Sequence, residues 1–331
     1  MPPPPASRRS AVVPSHLSLC ARGYHTAYAW NDGSLLACRC LTGLGAALVP
    51  PNCLALVADV FPPDRRGPAM GWLSSATGLG IALGIPLVAL LTQLGGWRLP
   101  FYVIGLLLGL LWSLVWVWCP QPQPPAGPAV PFLAHFRSVG GNAVLWGVLV
   151  TNSLRVMVFV GLSSYLATYL MRTYRLSAGD TALPLTVAGL GSIAGSLVGG
   201  RVATQASRLP VAAMACIGGG LGAGLVFTLV LSPWTTVILA CGAASLLSLA
   251  WTVLAVLLME VAAPSRATAT GLLTVSNQLG AVGGASLGGM MLALGGFPLV
   301  GLYYLVAAAA AAVVMRCTVQ WRLGESEGLI V

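Results

Sequence analysis

Arg155 sits near the middle of an apolar run from Asn142 to Leu170. A guanidinium costs about 2.5 to 3.5 kcal/mol to insert at the centre of a membrane helix. A charge kept at that depth faces a cavity or a partner, and Asn152, one turn earlier, shares its helical face. An arginine and an amide side by side in a water-poor setting suit a substrate or coupling contact. The alternative is an arginine satisfied by carbonyls and water where helices pack. Arg39 lies about one turn inside another apolar run, where it could line a pathway or snorkel to the interface. Ser276, Asn277 and Gln278 place three polar residues in a row within a third run, as pathway lining or as interhelical hydrogen bonds.

All seven acidic residues, Asp32, Asp59, Asp64, Asp180, Glu260, Glu325 and Glu327, fall at run ends, in loops or in tails. A proton-titrating carboxylate within a membrane pathway would therefore have to come from elsewhere. Asp59 and Glu260 occupy corresponding run ends, and Arg66, Arg201 and Arg266 lie in neighbouring loops. These five are candidates for gating ion pairs, or for anchoring helix ends. Catalytic patterns fail on context. Gly284-Ala285-Ser286-Leu287-Gly288 has the G-x-S-x-G form but lies inside an apolar run instead of a strand-to-helix turn. His16, His25 and His135 all lie outside the runs, so no base meets that serine. There is no H-E-x-x-H and no P-loop, and the eight cysteines are scattered, with Cys38 and Cys40 the one close pair. No enzyme, metal or cofactor follows from these residues. The net charge of +9 comes from sixteen arginines spread along the chain, which makes no nucleic-acid patch.

The elements that must position these side chains are membrane helices. The chain is 57% hydrophobic and 7% charged, with a mean hydropathy of +0.88, a composition that a soluble fold could not solvate. Nine apolar runs lie near 35–58, 69–92, 100–118, 142–170, 183–203, 211–231, 235–259, 268–293 and 298–317. Each is about the twenty residues that span a bilayer as a helix and too long for a barrel strand. Trp97, Trp118, Trp146, Trp234 and Trp321 fall near run ends, as an aromatic belt requires. Gly43, Gly80, Gly84 with Pro86, Gly280 and Gly284 are candidates for close helix packing.

Residues 66–99 recur at 266–299 with a constant offset of 200, twelve of thirty-four positions being identical. Arg66 matches Arg266, Gly80 matches Gly280, Gly84 matches Gly284, and Gly95-Gly96 matches Gly295-Gly296. Two related halves explain this. The second copy belongs to a six-helix unit, whereas the first has one run before it and one after, so a six-plus-six parent is expected with its first three helices absent. The expected division is a non-membrane tail at 1–33, an incomplete three-helix bundle at 34–119 and a Pro-rich linker at 120–141. A six-helix bundle at 142–317 and a tail at 318–331 complete it. Arg8, Arg9 and Pro14-Ser15-His16 do not build a signal peptide.

Arg39-Cys40-Leu41-Thr42-Gly43-Leu44-Gly45-Ala46-Ala47 resembles the R-x-x-x-G-x-G-A-A signature in the fourth helix of major facilitator superfamily transporters. Asp59, Phe61-Pro62-Pro63-Asp64-Arg65-Arg66-Gly67 and Gly95-Gly96-Trp97-Arg98 are similar to the region between the fourth and sixth helices of bacterial drug and sugar efflux members. Gly80, Gly84 and Pro86 stand where drug:proton antiporters carry a Gly-Pro signature, here shortened. Gly195, Gly199, Gly200 and Arg201 resemble the second-half loop motif, with Thr204 where an acidic residue is expected.

The resemblance covers about residues 24 to 322 and implies an all-α membrane fold of two bundles, with nine helices equivalent to the fourth to twelfth. In that scheme the bundles rock about a central cavity. The implied activity is secondary transport, efflux of a small molecule such as a drug or sugar, with protons as a coupling partner. The setting is the bilayer of a bacterial inner (plasma) membrane. Arg39, Asn152, Arg155, Asn277 and Gln278 would belong to the pathway. The alternative is a transport-inactive membrane protein with a binding or regulatory role. No residue pattern specifies an oligomeric state.

Overall fold

Helices make up the regular structure of the described residues. The structure is a computed structural model that describes residues 26–118, 142–177, 179–205, 208–261 and 266–327. The linker at 120–141, nearly all of the N-terminal tail and the three histidines lie outside that set. The helices are α1 (Asp32–Val60), α2 (Pro63–Leu79), α3 (Ile85–Gly95), α4 (Leu99–Trp118), α5 (Ala143–Tyr174) and α6 (Ala182–Val202). They continue with α7 (Arg208–Thr228), α8 (Pro233–Val261), α9 (Arg266–Val282) and α10 (Gly288–Glu327). The π-helical turn Gly80–Gly84 joins α2 to α3, and the turn Gly283–Leu287 joins α9 to α10. Five described stretches are long and apolar enough to cross a membrane, and Ala82–Gly95 and Leu99–Leu111 are shorter apolar helices. The fifth, Thr268–Cys317, has 50 residues. At 1.5 Å per residue that is about 75 Å, more than twice a hydrocarbon core of about 30 Å.

The long stretch is in fact two spans. Its helix breaks at Gly295 (φ −147°) and Gly296 (φ +69°), a backbone that favours glycine. Gly96 stands at φ +73° in the equivalent place of the first copy. In both copies a Cβ on the preceding glycine would press on the leucine four residues later, Gly95 on Leu99 and Gly295 on Leu299. The recurrence in sequence is thus a recurrence in backbone: helix, π-turn, helix, then a double-glycine break. Nine membrane-length helical segments follow among the described residues when each π-turn is read through and this break is counted.

The chain divides into two compact units, one of residues 1–60 and 86–130, the other of residues 61–85 and 131–331. The first holds α1, α3 from Pro86 on, and α4. Arg98 donates from Nε to the Ala27 carbonyl (2.9 Å) and from Nη2 to the Ala29 carbonyl (3.2 Å), tying the segment before α1 to the start of α4. Tyr28 meets Tyr102 edge to face at 5.8 Å.

In the second unit, glycines set the helix spacing. On α6 they serve two neighbours at once. Gly189 and Gly200 lie against Ala82 and Gly67 on the α2 side, whereas Gly191, Gly195 and Gly199 lie against Cys241, Ser245 and Leu249 of α8. Backbones approach this closely only where no side chain intervenes. Gly280 and Gly284 likewise sit on the Ser153 and Met157 carbonyls of α5.

These pairings fix direction. Because 280 meets 153 and 284 meets 157, α9 runs parallel to α5, while α2 runs antiparallel to α6. After the break, Gly301 and Ala308 pack on Gly224 and Gly220, so the chain returns antiparallel to α7. The core near that reversal is aromatic. Tyr169 meets Phe297 at 4.9 Å and Phe227 at 5.4 Å, and Tyr304 packs on Phe227 at 5.9 Å.

Candidate functional site

Asn142 opens α5, its side chain accepting the Leu145 N–H at 3.0 Å as an N-cap. From there an unbroken helix carries Asn152 and Arg155 into the unit, both buried. Arg155 is the only charged side chain among the described residues that is buried, at 6% exposure. At 1.5 Å per residue it lies about 18 Å from the start of α5, Asn277 about 16 Å from the start of α9, and Leu247 about 21 Å from either end of α8. Three helices thus bring polar groups to one depth, near the middle of a bilayer.

The groups form a directed network. Arg155 donates from Nε and from Nη2 to Asn152 Oδ1, each at 3.3 Å, and from Nη1 to the Leu247 carbonyl of α8 at 3.2 Å. Asn152 Nδ2 donates to Ser276 Oγ at 3.0 Å and to Asn277 Oδ1 at 2.9 Å, both on α9. Ser276 Oγ donates in turn to the Leu149 carbonyl at 2.6 Å. The Trp251 ring of α8 lies under the guanidinium at 5.2 Å, within cation–π range. Thr151 Oγ1, beside Asn152, is the one buried side-chain polar atom among the described residues without a hydrogen-bond partner. Hydrogen-bonding capacity and positive charge therefore concentrate here, with only neutral acceptors around the charge.

Of the residues read from sequence as pathway, the structure brings Asn152, Arg155 and Asn277 together. Gln278, next on α9, is exposed. Arg39 belongs to the other unit, exposed, with its guanidinium over the Phe101 ring at 4.9 Å. Among the helix-end residues, Glu260 is held by Arg208, with paired contacts of 2.7 Å. Arg66 donates from Nε to the Phe61 carbonyl at 3.0 Å, and Arg201 is exposed in the last turn of α6. The side chains of Asp59 and Arg266 lie outside the described set. A Cβ on Gly280 or Gly284 would meet α5 backbone, whereas one on Gly43, Gly80 or Gly84 would meet nothing within 4 Å. Pro86 is half-buried in α3.

Sequence reasoning missed Trp251, the Leu247 carbonyl, Arg208 and the buried Ser192–Ser248 hydroxyl pair at 2.7 Å. Glu260 offered one signal, since an acid at a helix end calls for a cation near it. A bare carbonyl on a distant helix offered none.

The family model described as Major Facilitator Superfamily matches residues 7–248, nearly three quarters of the chain. The chain belongs to the Major Facilitator Superfamily. Within the superfamily, a Helicobacter pylori protein named "Probable sugar efflux transporter" is 30% identical over 187 residues, 55% of this chain and 46% of that one. An Escherichia coli protein named "Probable L-galactonate transporter" is 28% identical over 216 residues, 59% of this chain and 47% of that one. The chain spans about half the length of these curated relatives. Among solved structures, the human organic anion transporter MFSD10 aligns with a TM-score of 0.78 over 93% of this chain and 77% of that one. At 16% identity that likeness speaks for the superfamily fold alone. The protein is an integral, multi-pass membrane protein of this superfamily.

Proposed function

We propose that this chain works as a secondary transporter, moving a small polar molecule across the bilayer by alternating access in the efflux direction. One observation carries the reading. The single buried charge among the described residues sits at mid-depth, where α5, α8 and α9 converge, held by a network whose last member, Asn277, is only half-buried. Intramembrane charge placed this way marks a substrate pathway by default. The similarity to proteins named for sugar efflux and L-galactonate transport supports a small hydrophilic substrate. Gln278 of α9 is assigned to this pathway too, and Arg39, within the first unit, is assigned to transport. Asp59, Arg66, Arg201, Glu260 and Arg266 are assigned to helix ends that hold one state against the other. A bacterial inner membrane is the proposed setting. Proton coupling is assigned to a carboxylate outside the Arg155 network, since that network contains none.

Reconstitution tests it. Vesicles carrying the protein and loaded with labelled pentose or L-galactonate should release it faster than empty vesicles, and Arg155→Ala should bring release to the empty-vesicle rate. Release equal to that of empty vesicles for both solutes sinks the proposal. A second reading, a binding or regulatory partner of a longer relative, draws on Gly80 and Gly84. They face open space where their repeat mates Gly280 and Gly284 seat on α5.

A further inference from the structure

Arg155 carries more donors than the protein uses. A guanidinium has five N–H groups, and three of them are engaged, by Asn152 Oδ1 twice and by the Leu247 carbonyl once. One N–H on each terminal nitrogen is left over. The nearby acceptors are committed in a fixed direction. Because Asn152 Nδ2 is held by Ser276 and Asn277, the amide oxygen must face the guanidinium. Two neutral oxygens hold the side chain in place, and neither cancels its charge.

Two carboxylates among the described residues have partners of their own. Glu260 is paired with Arg208, and Asp180 accepts from Ser177 Oγ at 2.6 Å and Ser177 N at 3.2 Å. The Trp251 ring covers a face of the guanidinium, which leaves its edge, the surface that pairs in a fork with a carboxylate. Asn277 adds a second element. Its oxygen accepts from Asn152 while its amide N–H groups have no acceptor among the described residues, and it is half-buried, at the open end of the network.

Resting on the transport reading above, we infer that the substrate is a monoanionic hydroxy acid. Its carboxylate pairs with the two unused terminal N–H groups of Arg155, and a hydroxyl oxygen accepts from the Asn277 amide. A neutral polyol would leave the guanidinium without a counter-charge in a water-poor site, where an unbalanced charge is most costly. The Arg155 network holds one cation, which matches one negative charge.

Purified full-length protein in detergent, at constant ionic strength with sodium chloride as the salt control, decides this. Thermal stabilisation would be compared between hydroxy-acid anions (lactate, gluconate, galactonate) and the uncharged polyols of the same carbon skeletons (propanediol, sorbitol, galactitol). The expected result is saturable stabilisation by one or more anions and by no polyol. Arg155→Met should weaken apparent affinity about thirtyfold or more, and Arg155→Lys should keep the preference for anions at reduced affinity. Equal stabilisation by acid and polyol overturns the inference, as does an anion response that survives in Arg155→Met. The wild-type comparison of acid with polyol decides without a variant if Arg155→Met does not fold. Pentose release from vesicles with no anion response overturns this inference alone. No release and no stabilisation by any compound overturns it together with the transport reading.

Discussion

Ser276 is held on two sides, accepting from Asn152 Nδ2 and donating to the Leu149 carbonyl. Ser276→Ala should cost about 0.6 to 1.7 kcal/mol, the range for interhelical hydrogen bonds inside membranes, read as a shift in a detergent unfolding curve. It should also loosen Asn152, so on the transport proposal flux should fall further than stability accounts for. The pairing of Asn152 with Arg155 was legible because three residues on a helix return to one face. Trp251 and the Leu247 carbonyl were not, since nothing in a string of letters brings residues about ninety positions apart to one guanidinium. Outside the membrane, Asp180 accepts from Ser177 Oγ and N, and these bonds hold its carboxyl below the ordinary range. A folded-state value depressed below about 3.9 contributes stability above that pH and loses it as pH falls through the folded value. Ser177→Ala should therefore move the Asp180 titration upward, seen as a carboxyl carbon shift on titration below pH 5.

Glycine does different work in the two copies of the repeated element, and substitution should separate them. On Gly284 a Cβ would run into the Met157 carbonyl of α5, and backbone cannot step aside as a side chain can. Gly284→Ala should destabilise by about 1 to 3 kcal/mol, the usual cost of overpacking. Its mate Gly84 faces nothing within 4 Å, so Gly84→Ala should be neutral or stabilise by up to about 1 kcal/mol through helix propensity. Opposite signs at matched positions, measured by the same unfolding assay, are the expected outcome; equal losses would mean that Gly84 is also packed. The offset of 200 was visible in the letters, because glycine and arginine identities survive where apolar residues interchange. The packing difference was not visible, since it depends on what lies across from each helix. The π-turns were also hidden, and so was the break at Gly295-Gly296, which the sequence reading placed between two runs without a conformation.

At the scale of the molecule, the contacts of the second unit sort its charges between two ends. Gly67 packs on Gly200 and Thr204, and Arg208 pairs with Glu260. The turns holding Arg65, Arg66, Arg201 and Arg208 therefore share one end. Tyr169 and Tyr174 donate to the Leu229 and Leu231 carbonyls at the other end, where Arg172 and Arg175 lie with Asp180. Among these residues, four arginines against two should orient the first end toward the cytoplasm by the positive-inside rule. Cysteine replacement tests that orientation directly. In a background with the eight native cysteines replaced, Ser177→Cys should react with a membrane-impermeant maleimide added outside intact cells. Thr204→Cys should react only after permeabilisation. The reverse pattern would invert the protein in the bilayer, and with it the proposed direction of transport, because Asn277 and Arg155 lie on helices that start from the arginine-rich end. The test bears on the whole molecule, since no single residue sets orientation; the sum of loop charges does, and only the helix pairings tell which loops add together.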